Sequence, residues 1–326
     1  MGGGRSRAGR LVIEILDPGP LTSIQTARGR PGWQHFGAPA GGAADPLSAR
    51  LANRLVGSPD DASLLEATLA GPTLRLEAVT FVAITGASWT ATLDGLPLPS
   101  DQARPARVGS ILAIGTGPGA RAYIAIAGLT VPAVLGSAAT DLRTGFGGHE
   151  GRALRAGDRL TLDPAIARPM RWTGARGPAG PIRLVVGPHA ARFAPESMTA
   201  HPWRVSDAAD RTGVRLEGPP IESRGGPAEF ASLGAPIGAV QVPPDGQPIV
   251  MLADGPVTGG YPVPACVIRA DTGRVAQLRP GDEVSFTTVG VEEAVEALRL
   301  AEVELDSLEP FSLTGDEELG WAGALD

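Results

Sequence analysis

Asp254 and the segment Thr258-Gly259-Gly260-Tyr261 place a carboxylate, a hydroxyl and a phenol beside two glycines. A Gly-Gly backbone can approach a ligand closely, and the surrounding side chains can orient it. The same residues also meet the plain needs of a tight loop. A second polar concentration, with Gln25, Arg28, Arg30, Trp33, Gln34 and His35, lies in LTSIQTARGRPGWQHFGAPAGGAAD. These side chains donate hydrogen bonds, and several suit an anion or a carboxylate. Loops of this kind serve binding or simply solvate the surface. Asp207, Asp210 and Arg211 precede a strand, where an Asp-Arg pair commonly caps backbone amides. Glu150, at the tip of the glycine-rich GFGGHEGRALRAGD, is an acid-base candidate that equally suits a solvated loop.

The elements that must position these groups are short strands. In GAVQVPPDGQPIVMLADGPVTGGYP, 238–262, two apolar runs at 239–242 and 249–252 flank a Pro-Pro-Asp-Gly turn, which predicts a hairpin. The second run does not alternate, so it reads as a strand covered on both faces and delivers Asp254 at its end. Residues 11–16 form a first strand, and Asp45 and Pro46 cap and start a helix to 56 with Leu47, Leu51 and Leu55 on one stripe. From 63 to 126 short strands follow one another, with Asp94-Gly95 as a hairpin signal. RVGSILAI, RAGDRLTL and RPGDEVSF, at 107–114, 155–162 and 279–286, repeat one turn-plus-strand pattern. These features predict a mainly β protein of two lobes, 11–168 and 180–290, with an aperiodic boundary around 165–181. Residues 193–203 read as a short helix plus loop. An amphipathic helix begins at 291, with Val291, Val295, Leu298, Ala301 and Leu305 as its buried stripe, and leads into an acidic tail. Residues 1–10 are expected to be disordered.

Composition narrows the chemistry. The 326 residues include 45 Gly and 31 Pro, but 43% are hydrophobic, which favours a turn-rich all-β chain over disorder. All 28 basic residues are arginine, which excludes a Schiff-base lysine, a P-loop lysine and a lysine that could carry biotin. Cys266, the single cysteine, rules out an internal disulfide and sits in an apolar run as a packed small hydrophobe. Glu14 interrupts the first apolar run, so no signal peptide is expected, and no stretch suits a membrane helix. A cytoplasmic protein is the expectation. Net charge is −7, concentrated beyond residue 290, so acidity describes the tail more than a substrate. His35, His149, His189 and His201 lie far apart without metal-ligand spacing, so no metal is expected. There is no G-x-S-x-G elbow, and GTGPGA at 115–120 is not followed by a helix, against a dinucleotide loop. Few aromatics and a mildly basic body disfavour nucleic acid.

Five blocks, in order, are similar to the C-type 5-oxoprolinase subunits, a family also called KipA or allophanate hydrolase subunit 2 and related to part of the urea carboxylase carboxyltransferase domain. They are LTSIQ…GRPGWQHFGAPAGGAAD, LANRLVG with LEATLAGPTL, LGSAATDLRTGFGGHEGRAL, ADRTGVRLEG, and GAVQVPPDGQPIVMLAD…TGGYP. The resemblance implies two cyclophilin-like β-barrel lobes. It further implies a hetero-oligomer with a KipI-type (B-type) subunit and a LamB/YcsF-type (A-type) subunit, using ATP to open 5-oxo-L-proline to glutamate. By motif position it implicates Gln25, Arg30, Gly32, His35 and Asp45, then Asp210, Arg211 and Gly213, and Gln241, Asp254, Thr258, Gly259, Gly260 and Tyr261. In a catalytic subunit Asp254 or Asp210 would position or activate water, with Tyr261 beside them. Arg30 or Arg211 would hold a carboxylate or acyl phosphate, and the Gly259 and Gly260 amides would stabilise an oxyanion. Two departures stand out: QTARGR has an extra residue and lacks an aspartate after Gln25, and GPVTGGY replaces the family's Q-T-T-G-G-Y. The alternatives are a non-catalytic regulatory partner of the KipI-type protein, or half of a carboxyltransferase served by biotin on a separate carrier.

Overall fold

The computed structural model describes residues 12–163, 168–177, 179–224 and 231–311. Strand Val12–Asp17 buries Ile13 and Ile15 and exposes its alternate residues more, as a strand with one covered face should. It lies in the middle of a seven-stranded sheet, between Arg159–Leu162 and Thr73–Leu76, in antiparallel pairing with both. A five-stranded sheet packs on it, in the order Leu21–Gln25, Leu64–Thr68, Arg121–Ile126, Thr80–Gly86, Ala103–Ala106. Arg121–Ile126 is buried at every position because both its faces are covered. Ala122, Ile124 and Ile126 enter the core between the sheets, while Tyr123 and Ala125 meet helix α1, Pro46–Leu55. The helix starts as expected: Asp45 caps it by accepting the Ser48 amide at 3.2 Å, and Leu51 and Leu55 are buried.

The second lobe is built on an eight-stranded sheet. Its order is Glu283–Val284, Trp203–Val205, Gly213–Glu217, Ile249–Met251, Ala239–Gln241, Ala265–Val267, Ile182–Val186, Phe286–Thr288. The two outermost strands are separated in the chain by Ser285 alone, so the sheet curls round into a nearly closed barrel and brings its two edges together. The predicted hairpin is present, Val240 pairing with Val250, and Gly246 at φ 75° closes the turn. Val250 and Leu252 enter the barrel core while Met251 packs outside with Ala239 and Val263, so this strand is covered on both faces. The mainly β, two-lobed fold class holds.

The three repeated turns share one geometry. Gly109, Gly157 and Gly281 have φ of 87°, 87° and 89°, a region favouring glycine. The Arg107 amide donates to Ser110 Oγ at 3.0 Å, and those of Arg155 and Arg279 donate to Asp158 and Asp282 carboxylates at 2.8 Å. Hydrogen bonds from Arg152 hold the Asp158 carboxyl at about 2, below its ordinary 3.8. A depressed carboxyl stabilises the fold above its unfolded value, and this stabilisation is lost as pH falls through about 4 to 2. Asp158→Asn is therefore expected to flatten the acid limb of a Tm-against-pH profile, measured by calorimetry; an unchanged limb would refute the coupling.

Three expectations need correction. Residues 165–181 are not merely aperiodic: Met170–Trp172 is a strand paired antiparallel with Leu308–Pro310, so the chain beyond the last helix returns to the connection between the lobes. Three-residue strands are too short to show a period. Helix α3, which follows α2 (Thr272–Ala276) and spans Val291–Asp306, leaves Val291 and Val295 exposed. It rests on the body through small Ala297, half-buried Leu298 and Ala301, and Leu305, which joins the core around α1. Around 193–203 the helical turn lies earlier, at Ala190–Arg192, and successive turns follow. The expectations for 1–10 and for the tail from 312 lie outside the described residues.

Candidate functional site

The loop after Leu21–Gln25 is pinched at its base: the Arg30 amide donates to Ala40 O at 2.7 Å and the Ala43 amide to Thr26 O at 2.9 Å. Gly29 sits in the pinch at φ 65°, where a Cβ would fall 2.1 Å from Ala40 O. Gly29→Ala is expected to destabilise the protein by about 2 kcal/mol or more, from left-handed strain plus the clash, read as a lower urea midpoint. A midpoint equal to wild type would show that the pinch relaxes freely.

This geometry carries Arg30 into the interior, where it is 1% exposed. Its Nη2 donates to Ala139 O, and the guanidinium lies 4.5 Å from the Phe146 ring centroid. Gln25 Nε2 donates to the adjacent Thr140 O at 3.2 Å and to Ser23 Oγ at 3.0 Å. Asp141, next in the chain and fully buried, accepts the Arg143 and Thr144 amides on Oδ1 at 3.0 and 3.2 Å. Three residues, 139–141, thus gather Gln25 and Arg30 beside a carboxylate. Around them Gln25 Oε1, Arg30 Nε and Nη1, and Asp141 Oδ2 are buried without a hydrogen-bond partner among the described residues. Buried polar atoms are ordinarily satisfied, so two donors and two acceptors left over mark a place for a polar ligand or water. Burial lowers the Arg30 pKa, and the charges of Asp141 and Asp254 oppose it without cancelling it.

Asp254 belongs to a second buried group that joins the lobes. Arg211 grips it with two bonds, Nε to Oδ2 at 2.8 Å and Nη2 to Oδ1 at 3.0 Å, and also donates to Glu66 and to Gly42 O. Glu66 accepts the Ala44 amide at 2.9 Å and lies 3.7 Å from Arg121, whose guanidinium reaches Ala276 O across the interface. Burial alone would raise the Glu66 pKa, but Arg211, Arg121 and the Ala44 amide outweigh it and hold it below its ordinary value.

The remaining expected site residues are distributed as follows. Asp254 is not a free base, because both its oxygens accept from Arg211. Asp210 caps its own turn, Oδ1 accepting the Thr212 and Gly213 amides at 2.7 and 3.1 Å. Gln241 is buried with its amide against Gly259, and Thr258–Gly259 pairs with Leu233–Gly234. Gly260 and Tyr261 are exposed, as is His35, which stacks on Phe36 at 3.9 Å. Asp45 is buried but faces α2 and a separate cavity. The structure therefore unites Gln25 with Arg30, and Arg211 with Asp254, while leaving His35 and Tyr261 at the surface. Sequence reading missed Glu66, Arg121, Asp141 and Gln277. A charged residue inside an apolar strand, as in LLEAT and RAYIAI, was the available signal, since unpaired charges are rarely fully buried.

Two β lobes clamped by buried ion pairs, with an under-satisfied arginine beneath one loop, define the structural class. The model of the carboxyltransferase domain, subdomain A and B, matches residues 36–288, and the chain belongs to this family. It is 38% identical to the C-type 5-oxoprolinase subunit of Escherichia coli (strain K12) over 293 residues, 88% of this chain and 94% of that protein. It is 33% identical to Saccharomyces cerevisiae urea amidolyase, spanning 93% of this chain but 18% of that one. The crystal structure of K. lactis urea amidolyase superposes with a TM-score of 0.85 at 30% identity, covering 94% of this chain and 21% of that chain. No helix among the described residues is long and apolar enough to cross a membrane.

Proposed function

We propose that this chain is the C-type component of a 5-oxoprolinase complex, acting with subunits of the A and B types to hydrolyse 5-oxo-L-proline to L-glutamate with consumption of ATP. Likeness to the E. coli protein over nearly its whole length supports this reading. The observation that carries it is the buried Arg30 with two unpartnered donors. Its fork suits the carboxylate of 5-oxoproline or an acyl phosphate. Gln25 Oε1 and Asp141 Oδ2 supply acceptors of the kind a lactam N–H needs. Arg211 and Asp254 hold the second lobe against this group and act as positioning residues. Tyr261 and the Gly259-Gly260 backbone, on the outer loop, line the approach or the interface with a partner.

ATP does not fit the glycine-rich segment of this chain. A Cβ at Gly117 would lie 2.1 Å from Trp89, so that glycine makes room for an indole, and the segment leads into strand Arg121–Ile126 rather than a helix N-terminus. No nucleotide step is assigned to these residues. The test mixes the purified chain with A- and B-type subunits, 5-oxo-L-proline and ATP. Glutamate formation that requires all three proteins and falls with Arg30→Met supports the proposal. Full turnover without this chain would defeat it. The urea amidolyase likeness favours a second reading, carboxyl transfer, in which biotin would arrive on another protein because this chain has no lysine. Product formation only with bicarbonate and a biotinylated carrier would select it.

A further inference from the structure

A cavity of about 600 Å³ opens where α1, the connection at 172–177, α2 and α3 meet. It is separate from the Arg30 group, and of the expected site residues only Asp45 lines it. One wall is largely apolar, built from Leu47, Leu51, Trp172, Ala301 and Leu305, with the Arg176 guanidinium 5.7 Å from the Trp172 ring centroid and exposed Leu300 at the rim. Volume and lining are those of a small-molecule site.

The charges around it are unbalanced in two places. Asp45 is 7% exposed, yet its oxygens accept only from neutral donors: the Ser48 amide at 3.2 Å, Ser48 Oγ at 2.7 Å and Gln277 Nε2 at 3.2 Å. Among the described residues it forms no ion pair, Arg176 in the lining bonding Ser48 Oγ at 3.1 Å and pairing with Asp101 instead, whereas buried carboxylates are ordinarily matched by a cation. Its negative charge adds to burial in pushing the Asp101 carboxyl up, even though Arg176 pairs with Asp101. Glu304, also in the lining, accepts the Ala175 amide at 2.7 Å and pairs with no cation among the described residues.

The opposite imbalance lies on the same wall. Asp271 is 1% exposed and serves two arginines: Arg183 grips it at 2.7 and 3.0 Å, and Arg274 reaches it at 3.2 Å. Among the described residues Arg274 otherwise bonds only the carbonyls of Gly180 and Pro181. Among the described residues Asp271 is the one carboxylate bonded to both guanidinium groups, while the charge of Glu293 acts on Arg183 without a hydrogen bond. The two poles are close together. A Cβ on Gly273, the residue before Arg274, would fall 2.4 Å from Asp45 Oδ1.

We infer that this cavity binds a free α-amino acid with a large apolar side chain. Its ammonium would meet Asp45 and Glu304, its carboxylate would meet Arg274 and Arg183, and its side chain would lie on the Leu47, Leu51 and Trp172 wall. A lone carboxylate or amine satisfies one pole and leaves the other, so the pairing of poles selects the zwitterion. The occupant would also bear on the lobe interface. Gln277 binds Asp45 through Nε2 and accepts the Arg121 amide on Oε1 at 2.9 Å, so the cavity is one side chain from the ion-pair network. The inference does not depend on which reaction the complex performs.

The test is calorimetric titration of the full chain with L-phenylalanine and L-leucine, with phenylacetate and phenethylamine as single-charge controls. Saturable binding of either amino acid is expected, at least about tenfold tighter than the controls, with a Tm that rises with ligand concentration. Ala301→Phe fills the cavity without altering a charged residue and is expected to abolish binding in a protein that still melts cooperatively. Asp45→Asn should weaken binding at least about tenfold. No binding of either amino acid, equal binding of a single-charge control, or unchanged binding by the Ala301→Phe variant would each overturn the inference.

Discussion

Arg30→Met is expected to make the protein more stable and the complex inactive. The guanidinium is almost completely buried, two of its nitrogens have no hydrogen-bond partner among the described residues, and burial lowers its pKa. Each buried polar group left unsatisfied costs about 1–3 kcal/mol, and more when charged. Methionine keeps the length and most of the volume while removing that penalty. It also frees Ala139 O, which offsets part of the gain. The net expectation is a Tm higher by a few degrees, with reconstituted turnover down by about a hundredfold or more, the range for losing a preorganised charged donor. Arg30→Lys keeps the charge without the planar fork and should recover little of the activity. Calorimetry and the glutamate assay together decide the matter. A Tm that falls in step with activity would make Arg30 a structural strut rather than a ligand-binding group.

Arg211→Met is expected to do the reverse, breaking the fold rather than the chemistry. Removing this guanidinium leaves Glu66 and Asp254, 1% and 4% exposed, as buried carboxylates without their shared partner. Breaking a buried pair from one side costs about 3–5 kcal/mol, because the surviving charge stays desolvated. Here two charges survive and the bond to Gly42 O is lost as well, so the expectation lies at the upper end. Denaturant unfolding should show this as a large fall in midpoint, or as a chain that fails to fold. The triple variant Arg211→Met, Glu66→Leu, Asp254→Leu separates pairing from packing. Removing the charges together should restore most of the loss, since such networks often contribute little over apolar groups of similar volume. A single variant as stable as wild type would show that water reaches the group.

Local chemistry made much of the fold legible. The Pro-Pro-Asp-Gly and Asp94-Gly95 turns, the Asp45-Pro46 helix start and the thrice-repeated glycine turn each require a backbone conformation that few residues tolerate, so each survives whatever surrounds it. The short strand Met170–Trp172 and the solvent-facing side of Val291 and Val295 were not legible in this way. Pairing with Leu308–Pro310 spans more than a hundred residues, and the rotation of α3 is set by the segment Arg269–Asp271 together with the distant core around α1. The same divide runs through the site. Gln25 and Arg30 were selected by type and by family likeness, but nothing local shows that residues 139–141 will meet them.

What the amino-acid order determined by itself was therefore the turn chemistry, the strand-rich class, the lysine-free inventory and the identity of the polar groups available. What only the packed chain decided was which of them lose water. Asp254 becomes a clasped ion-pair partner, Asp210 a turn cap and Asp45 an uncompensated carboxylate beside a cavity. The same carboxylate type takes three roles because desolvation and neighbouring charge, which set its energy, are properties of three-dimensional surroundings and not of sequence spacing.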